Sequence, residues 1–382
     1  MKFHQSHLAY CTNIHPAETW AETFAVLRTH VLAVRERLRT AGSLGKGDAF
    51  AIGLRLSAVA ARELLQGDHL VDFKNWLADT NTYVFTINGF PYGSFHGTRV
   101  KEQVFKPDWT AQARVDYTKD LFRILAAIAR PGTGASVSTL PGSHKTFHAD
   151  EAPIRRNLIE LAAWLEELAE LTGHDFHLGL EPEPLGHFEN TAETLAFFAR
   201  LHAAANNPEV IRRRIGVNYD ACHFALEYDG ARASLNALTA AGIRLSKIHL
   251  SSALALDPRD SATLAAIRAF DEPVYFHQVL VRSVDGTISR FVDLPDFLNA
   301  EEIPGAVEAR VHFHIPLDAE PAAPLRSTRE QTREVLAWRR DNPEACQHYE
   351  IETYTWGVLP DELQRPVEEQ IAGEYKWVLA NA

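Results

Sequence analysis

Apolar residues follow two rhythms along this chain. From Trp20 to Leu38 they recur at Trp20, Phe24, Leu27, Val31, Val34 and Leu38, alternating steps that lay one stripe down an amphipathic helix. Similar stripes run from Tyr117 to Ile128, from Ile154 to Leu171 just before Gly173, and from Leu195 to Leu201. Pro16 sits where a helix start tolerates it, and Asn190 with Glu193 and Ser327 with Glu330 have capping-box spacing. Between these stretches lie short β-rich runs: Leu8 to Asn13, Phe50 to Leu56, Tyr83 to Asn88, Ser136 to Leu140, Phe176 to Glu181, Ile215 to Asp220, Leu245 to Ser251, Val311 to Ile315 and Tyr349 to Tyr354. Alternation of strand and helix predicts parallel strands joined by right-handed crossovers, and about eight such units favour an α/β fold closed as a (β/α)8 TIM barrel. Nine runs compete for eight places, so one is expected to lie outside the barrel.

One stretch breaks the pattern. From Pro273 to Leu294, two β-prone runs flank Asp285-Gly286, the signature of a hairpin. It is expected to be an insertion after the seventh strand, with Tyr275 to Val292 near the barrel mouth and His277 or Arg282 turned toward the cavity.

Length and charge narrow the picture. At 382 residues the chain exceeds a usual domain, yet α/β barrels reach this size as single units and no linker or charge block divides it. One domain over 1–382 is expected, with 273–294 as its insertion. The 38 Lys and Arg against 50 Asp and Glu leave a net charge of −12, which repels nucleic-acid phosphates and anionic lipid. A small carbohydrate-like or other metabolite is the expected partner, with neither nucleic acid nor membrane, and a homo-oligomer stays open. Cys11, Cys222 and Cys346 lack CxxC spacing and read as small core residues of a protein in a reducing compartment. The opening MKFHQSHLAY has no apolar signal segment, and no apolar run approaches the roughly 18 residues of a membrane span, so the cytoplasm is the expected location.

Alternation within each strand selects the candidate chemistry. Leu178 and Leu180 suit the helix layer, which turns His177, Gly179 and Glu181 toward the barrel axis. The same parity sends Asn218 and Asp220, His249 and Ser251, and Glu350, Glu352 and Tyr354 inward from three later strands. Four strand ends thereby deliver Glu181, Asp220, His249 and Glu352 to one place. Taken singly, an inward glutamate paired with Arg55 or a hydrogen-bonded core histidine would explain each. Jointly they point to a divalent metal, because buried charges are rare unless paired or coordinated. Carboxylates with one imidazole and open positions suit Mn²⁺ or Zn²⁺ first, with Mg²⁺ and Co²⁺ also compatible.

These residues sit in recognisable strings. Glu181-Pro182-Glu183-Pro184 looks like the EPKP strand end of xylose isomerases, and Asn218-Tyr219-Asp220-Ala221-Cys222-His223 looks like their N-x-E-x-x-H. Lys247-Ile248-His249-Leu250 is similar to the next strand, where a histidine or acid reaches the metal. On these motifs the chain, up to Trp356, resembles the xylose-isomerase-like TIM-barrel superfamily of sugar isomerases, ketose 3-epimerases and apurinic endonucleases. A narrower likeness is to the EboE-type metabolite traffic proteins, through Tyr10-Cys11-Thr12-Asn13-Ile14-His15-Pro16, His312-Phe313-His314-Ile315-Pro316 and Glu350-Ile351-Glu352-Thr353-Tyr354-Thr355-Trp356.

What the resemblance implies is metal-dependent isomerase or epimerase chemistry on a sugar or sugar phosphate. Where xylose isomerases have a lysine that polarises the carbonyl this chain has Glu183, so their hydride shift is not expected. The epimerase arrangement fits better: proton transfer through a metal-stabilised enediolate, with Glu181 and Glu352 as both ligands and proton-handling pair. His223, one turn past Asp220, would bond a substrate hydroxyl or cap the following helix, and Arg282 would meet a phosphate or carboxylate. His312 and His314 share one parity and are expected to face inward, with His314 and Tyr354 toward the substrate. Were several of these histidines, including His277, also ligands, zinc-dependent phosphoester hydrolysis would be the better reading. A barrel that binds and hands on a metabolite without catalysis is the third.

Overall fold

In the computed structural model, which describes residues 1–93, 101–301 and 303–382, strand and helix alternate as the periodicity requires. The strands are β1 (Lys2–Phe3), β2 (Ser6–Tyr10), β3 (Phe50–Arg55), β4 (Thr82–Asn88), β5 (Ala135–Thr139), β6 (Phe176–Leu180), β7 (Ile215–Asp220), β8 (Arg244–Leu250), β9 (Leu254–Leu256), β10 (Val279–Ser283), β11 (Ile288–Phe291), β12 (Ala306–Val311), β13 (Arg326–Ser327) and β14 (His348–Ile351). Parallel pairing runs β2-β14-β8-β7-β6-β5-β4-β3, and a parallel bridge between Cys11 and Gly53 brings the two ends of this sheet together as a nearly closed barrel. β1 lies antiparallel on β2.

Helices cover the outside because their apolar stripes match the outward parity of the strands. The helix Glu151–Thr172 buries Ile154, Leu158, Leu161 and Leu165, then stops at Gly173, whose φ of 74° is the left-handed conformation that glycine adopts without penalty. The Trp20 stripe forms Trp20–Val26, a π turn Leu27–Val31 and Leu32–Thr40. Its true start is a capping box at Thr19 and Glu22 rather than Pro16. Asn190 caps Thr191–Ala204 by accepting from the Glu193 amide at 3.0 Å. The box expected at Ser327 and Glu330 does not form: Ser327 belongs to β13, and Thr328, ahead of the helix Arg329–Asp341, uses its hydroxyl to accept from the Ala253 amide.

Eight of the nine expected β runs supply the barrel. The ninth, Val311 to Ile315, does not: only Val311 is in a strand, and that strand, β12, pairs antiparallel with β10 and β9. Alternation marks a β-prone segment but not the sheet it joins. The hairpin forms where expected, with Val279 opposite Phe291 and Gly286 at φ 86°. It is part of something larger, a second sheet ordered β11-β10-β12-β9-β13 between the seventh and eighth barrel strands. Leu254, Leu256, Val279, Val281, Leu294, Val311, Phe313 and Ile315 fill a core of its own. Cys11, Cys222 and Cys346 are buried and free, and no described helix is long and apolar enough to cross a membrane.

Candidate metal centre

At the C-terminal mouth, Glu181, Asp220 and His249 each place a ligand-type atom within 4.8 Å of the other two. His249 Nδ1 stands 3.1 Å from Glu181 Oε1 and 3.3 Å from Asp220 Oδ2. Donors sharing an ion at about 2.1 Å stand roughly 3.0 to 3.4 Å apart for octahedral or tetrahedral angles, so this spacing suits a common cation. The carboxylates are held with one oxygen spare. Asp220 Oδ1 accepts from the Cys222 amide at 2.7 Å, the His223 amide at 3.2 Å and the Ser251 hydroxyl at 2.6 Å, while Asp220 Oδ2 and Glu181 Oε2 are buried without a hydrogen bond. Burial would raise the Asp220 carboxyl, but His223, His249 and His314 hold it well below the usual range. Burial would likewise lower the His249 imidazolium, yet Glu181 and Asp220 push it well up. The cluster thus attracts positive charge strongly.

A second group of imidazoles adjoins the first. His223, His312 and His314 approach with ring centroids 4.8 to 5.7 Å apart. Each engages Nδ1 with an acceptor: Pro182 O at 3.1 Å, Gln278 Oε1 at 2.7 Å and Glu352 O at 2.9 Å respectively. Donation from Nδ1 leaves Nε2 as the lone-pair nitrogen. The Nε2 atoms of His312 and His314 are buried without a hydrogen bond. Donor sets form here as Asp220 with His223 and His314, Glu183 with His223 and His312, and Cys222 with His312 and His314. His312 and His314 arrive from the loop after β12 rather than from a barrel strand.

Glu352 lies at the same cavity but is differently held. Its Oε1 accepts from Asn13 Nδ2 at 2.7 Å and its Oε2 lies 3.1 Å from His314 Nδ1. It belongs to none of the three-residue donor sets among the described residues. Burial opposes its charge, but His314 holds the carboxyl below the ordinary value. Glu183 is the reverse case: burial first, then Glu181, Asp220 and Glu352, push its carboxyl well up. Both glutamates line a cavity walled by Asn13, Phe90, Phe105, Phe276, Tyr354 and other residues.

Of the remaining expected residues, His223 and Tyr354 line this cavity, and the Tyr354 ring lies 4.6 Å from that of His314. His223 does not cap the helix that follows, since the Asp220 side chain does. Arg282 lies elsewhere: its guanidinium sits 4.6 Å over the Tyr228 ring, on the face of the second sheet. Residues next to it in the insertion, Tyr275, Phe276 and Gln278, reach the cavity instead, while His277 bonds Glu272 and His312 O. Two buried residues gain a place at the site that the sequence did not give them: Glu183, whose carboxyl is pushed well up, and Lys247 beneath the cluster. The signal that could have found Lys247 is that it stands two residues before His249 and so shares its inward parity.

Solved structures share this architecture. One is the crystal structure of the IOLI protein with a binding zinc atom, 11% identical, matching 98% of this chain and 97% of that one with a TM-score of 0.50. Another is a xylose isomerase-like TIM barrel protein from Mycobacterium smegmatis in complex with magnesium, 14% identical over 99% of this chain and 97% of that one, also at 0.50. The chain folds as a xylose-isomerase-like TIM barrel. No protein-family model and no curated protein matches its sequence, so the likeness is one of fold, and the EboE-type likeness gains no support from it. In this barrel the donor atoms stand at the C-terminal ends of β6, β7 and β8, the face where barrels of this kind carry their sites.

Proposed function

We propose that the mouth of the barrel holds a divalent cation on Glu181, Asp220 and His249, with Glu352 beside them, and that the protein moves a proton on a carbon next to a carbonyl in a carbohydrate-like small molecule. The observation that carries this reading is the pair of buried carboxylate oxygens, Glu181 Oε2 and Asp220 Oδ2, left without hydrogen bonds on carboxylates that each bring an oxygen within 3.3 Å of His249 Nδ1. Oxygens with one imidazole suit Mn²⁺ or Zn²⁺, with Mg²⁺ or Co²⁺ also accommodated. The zinc and magnesium of the two structural neighbours agree with an ion of that class. When bound, the cation supplies Lewis acidity toward a carbonyl and a neighbouring hydroxyl.

The chain's own groups then divide the proton work. Glu352, ionised through His314, is the base on one side of the cavity; Glu181 is its counterpart on the other. Glu183, lining the cavity with its carboxyl pushed well up by burial and the neighbouring carboxylates, is the group placed to donate a hydrogen bond to a substrate oxygen, which partly replaces the lysine of EPKP. His223 and Tyr354 orient the substrate from the cavity wall. Three free thiols agree with a reducing, cytoplasmic setting.

A second reading rests on the His223, His312 and His314 group. If it holds a further zinc ion sharing Asp220, the centre suits hydrolysis of a phosphoester better than proton exchange. The test is metal content of the purified protein, followed by solvent deuterium incorporation into a panel of ketoses and by release of phosphate from phosphoesters. One equivalent of metal with deuterium uptake supports the first reading. Two or more equivalents with phosphoester turnover and no uptake would replace it with the second.

A further inference from the structure

Beneath the cluster lies a buried ion pair for which proton transfer has no use. Lys247 Nζ stands 2.5 Å from Glu350 Oε2, and the same oxygen is 2.9 Å from His249 Nε2. Lys247 also donates to Ser138 Oγ at 2.9 Å, and the side chains of Lys247, Glu350 and His249 are wholly buried. Burying two charges costs several kcal/mol per ion before their attraction is counted, so such a pair in a barrel core calls for a role. The backbone makes room for it. A Cβ on Gly53 would fall 1.9 Å from Glu350 Oε1 and 2.6 Å from the Tyr10 carbonyl oxygen, so the carboxylate occupies space that only glycine leaves.

The direction of the His249 ring makes the pair informative. A carboxylate at Nε2 accepts the N–H there, so that with a cation in place the Nδ1 lone pair would be free for the ion, on the side where Glu181 Oε1 and Asp220 Oδ2 stand at 3.1 and 3.3 Å. Metal-bound histidines commonly donate their other nitrogen to such a carboxylate, which fixes tautomer and ring angle. Lys247 holds that carboxylate in place: bonded to Glu350 Oε2 and to Ser138 Oγ, it pairs the buried charge and fixes the oxygen that meets His249 Nε2.

We propose that Glu350 and Lys247 are positioning residues that hold His249 as the Nε2–H tautomer, with its Nδ1 lone pair presented to the cation at the barrel mouth. The inference rests on the metal reading above. Glu350 and Lys247 touch neither the substrate cavity nor the ion; they act through His249.

The test uses full-length protein stripped by a chelator: wild type, Glu350→Gln, Lys247→Met and the double variant Glu350→Gln/Lys247→Met, which leaves no unpaired buried charge. Each is titrated with Co²⁺ against a chromophoric chelator while the visible spectrum of the ion is recorded, and the melting of the metal-free form is measured alongside. The expected result is a loss of affinity of about 10- to 100-fold in Glu350→Gln and in the double variant, with displaced Co²⁺ bands. A folded double variant that binds Co²⁺ as tightly as wild type with the same spectrum overturns the proposal and leaves the metal reading standing. Wild type that takes up no Co²⁺ overturns the metal reading itself. A second measurement needs no change at the pair: in wild-type protein loaded with Zn²⁺, long-range ¹H–¹⁵N spectra should show the histidine that disappears in His249→Gln protonated at Nε2. Protonation at Nδ1 in that residue refutes the positioning role.

Discussion

Two tasks of Asp220, one observed and one proposed, can be separated by substitution. Its Oδ1 caps the helix Ala221–Leu226 and accepts from Ser251, while its Oδ2, buried without a hydrogen bond, is the atom proposed to meet the cation. Asparagine keeps an oxygen for the first task and loses the charge for the second; alanine loses both. Unfolding entropy of about 2.1 cal/mol/K per residue amounts to about 0.8 kcal/mol/K for this chain, so 1 kcal/mol moves the melting temperature by about 1.2 °C. A cation at one hundred times its dissociation constant adds about 2.7 kcal/mol, or about 3 °C. Losing the cap costs about 1 kcal/mol and stranding the buried Ser251 hydroxyl adds about 1 to 3 kcal/mol, while the Cys222 amide keeps Ser251 Oγ as a partner. In chelator, Asp220→Asn should therefore melt above Asp220→Ala, which should fall by about 2 to 5 °C. With Mn²⁺ or Zn²⁺ added, wild type should rise by about 3 °C and neither variant should follow. Differential scanning calorimetry with and without metal reads both effects. A full metal-dependent rise in Asp220→Asn would refute the ligand role, and equal melting of the two variants in chelator would refute the capping role.

Other predictions follow from single side chains. Glu352→Gln keeps an oxygen at the cavity but no ionisable base, so solvent deuterium uptake by a ketose substrate should drop by about 10² to 10⁴; unchanged uptake would mean that Glu352 is not the base. Glu374 is buried on the helix Val367–Asn381, accepts from Thr353 Oγ1 at 2.7 Å and Leu317 N at 3.1 Å, and has its carboxyl pushed up by burial to about 7. A folded value above the unfolded one means the native state binds the extra proton, so this contribution is fully present below about pH 4.5 and is lost as pH rises through about 7. Glu374→Gln should melt above wild type at pH 8 and lose that part of the pH slope; an unchanged slope would exclude Glu374 as its source. Gly53→Ala should be strongly destabilising, because the added Cβ meets Glu350 and the Tyr10 backbone oxygen together; a melting temperature within about 1 °C of wild type would show that the barrel wall yields there.

The barrel was legible because its strands alternate between two differently filled faces. Parity put Glu181, Asp220, His249 and Glu350 inward before any contact was known, and those contacts exist. The second sheet was less legible, since β9 and β13 are only three and two residues long and their partners lie far away in sequence. A run as short as Leu254–Leu256 carries no period, so Val311 to Ile315 looked like a barrel strand for want of a visible partner. His312 and His314 still reach the site because the extended loop after β12 turns their rings toward His223. Arg282 shows the limit of composition: a cation in a lid is equally satisfied by an aromatic ring, here Tyr228. Lys247 was readable as an inward charge on its strand, but its meaning depends on Glu350, which lies 103 residues away in sequence.

The most direct test of the metal site is anomalous scattering from crystals grown with Mn²⁺ or Zn²⁺, recorded on both sides of the absorption edge. A peak about 2.0 to 2.4 Å from Glu181, Asp220 Oδ2 and His249 Nδ1 is the predicted result. Crystals in which these three side chains keep their places around no anomalous peak, at metal concentrations that saturate binding in solution, would contradict the account.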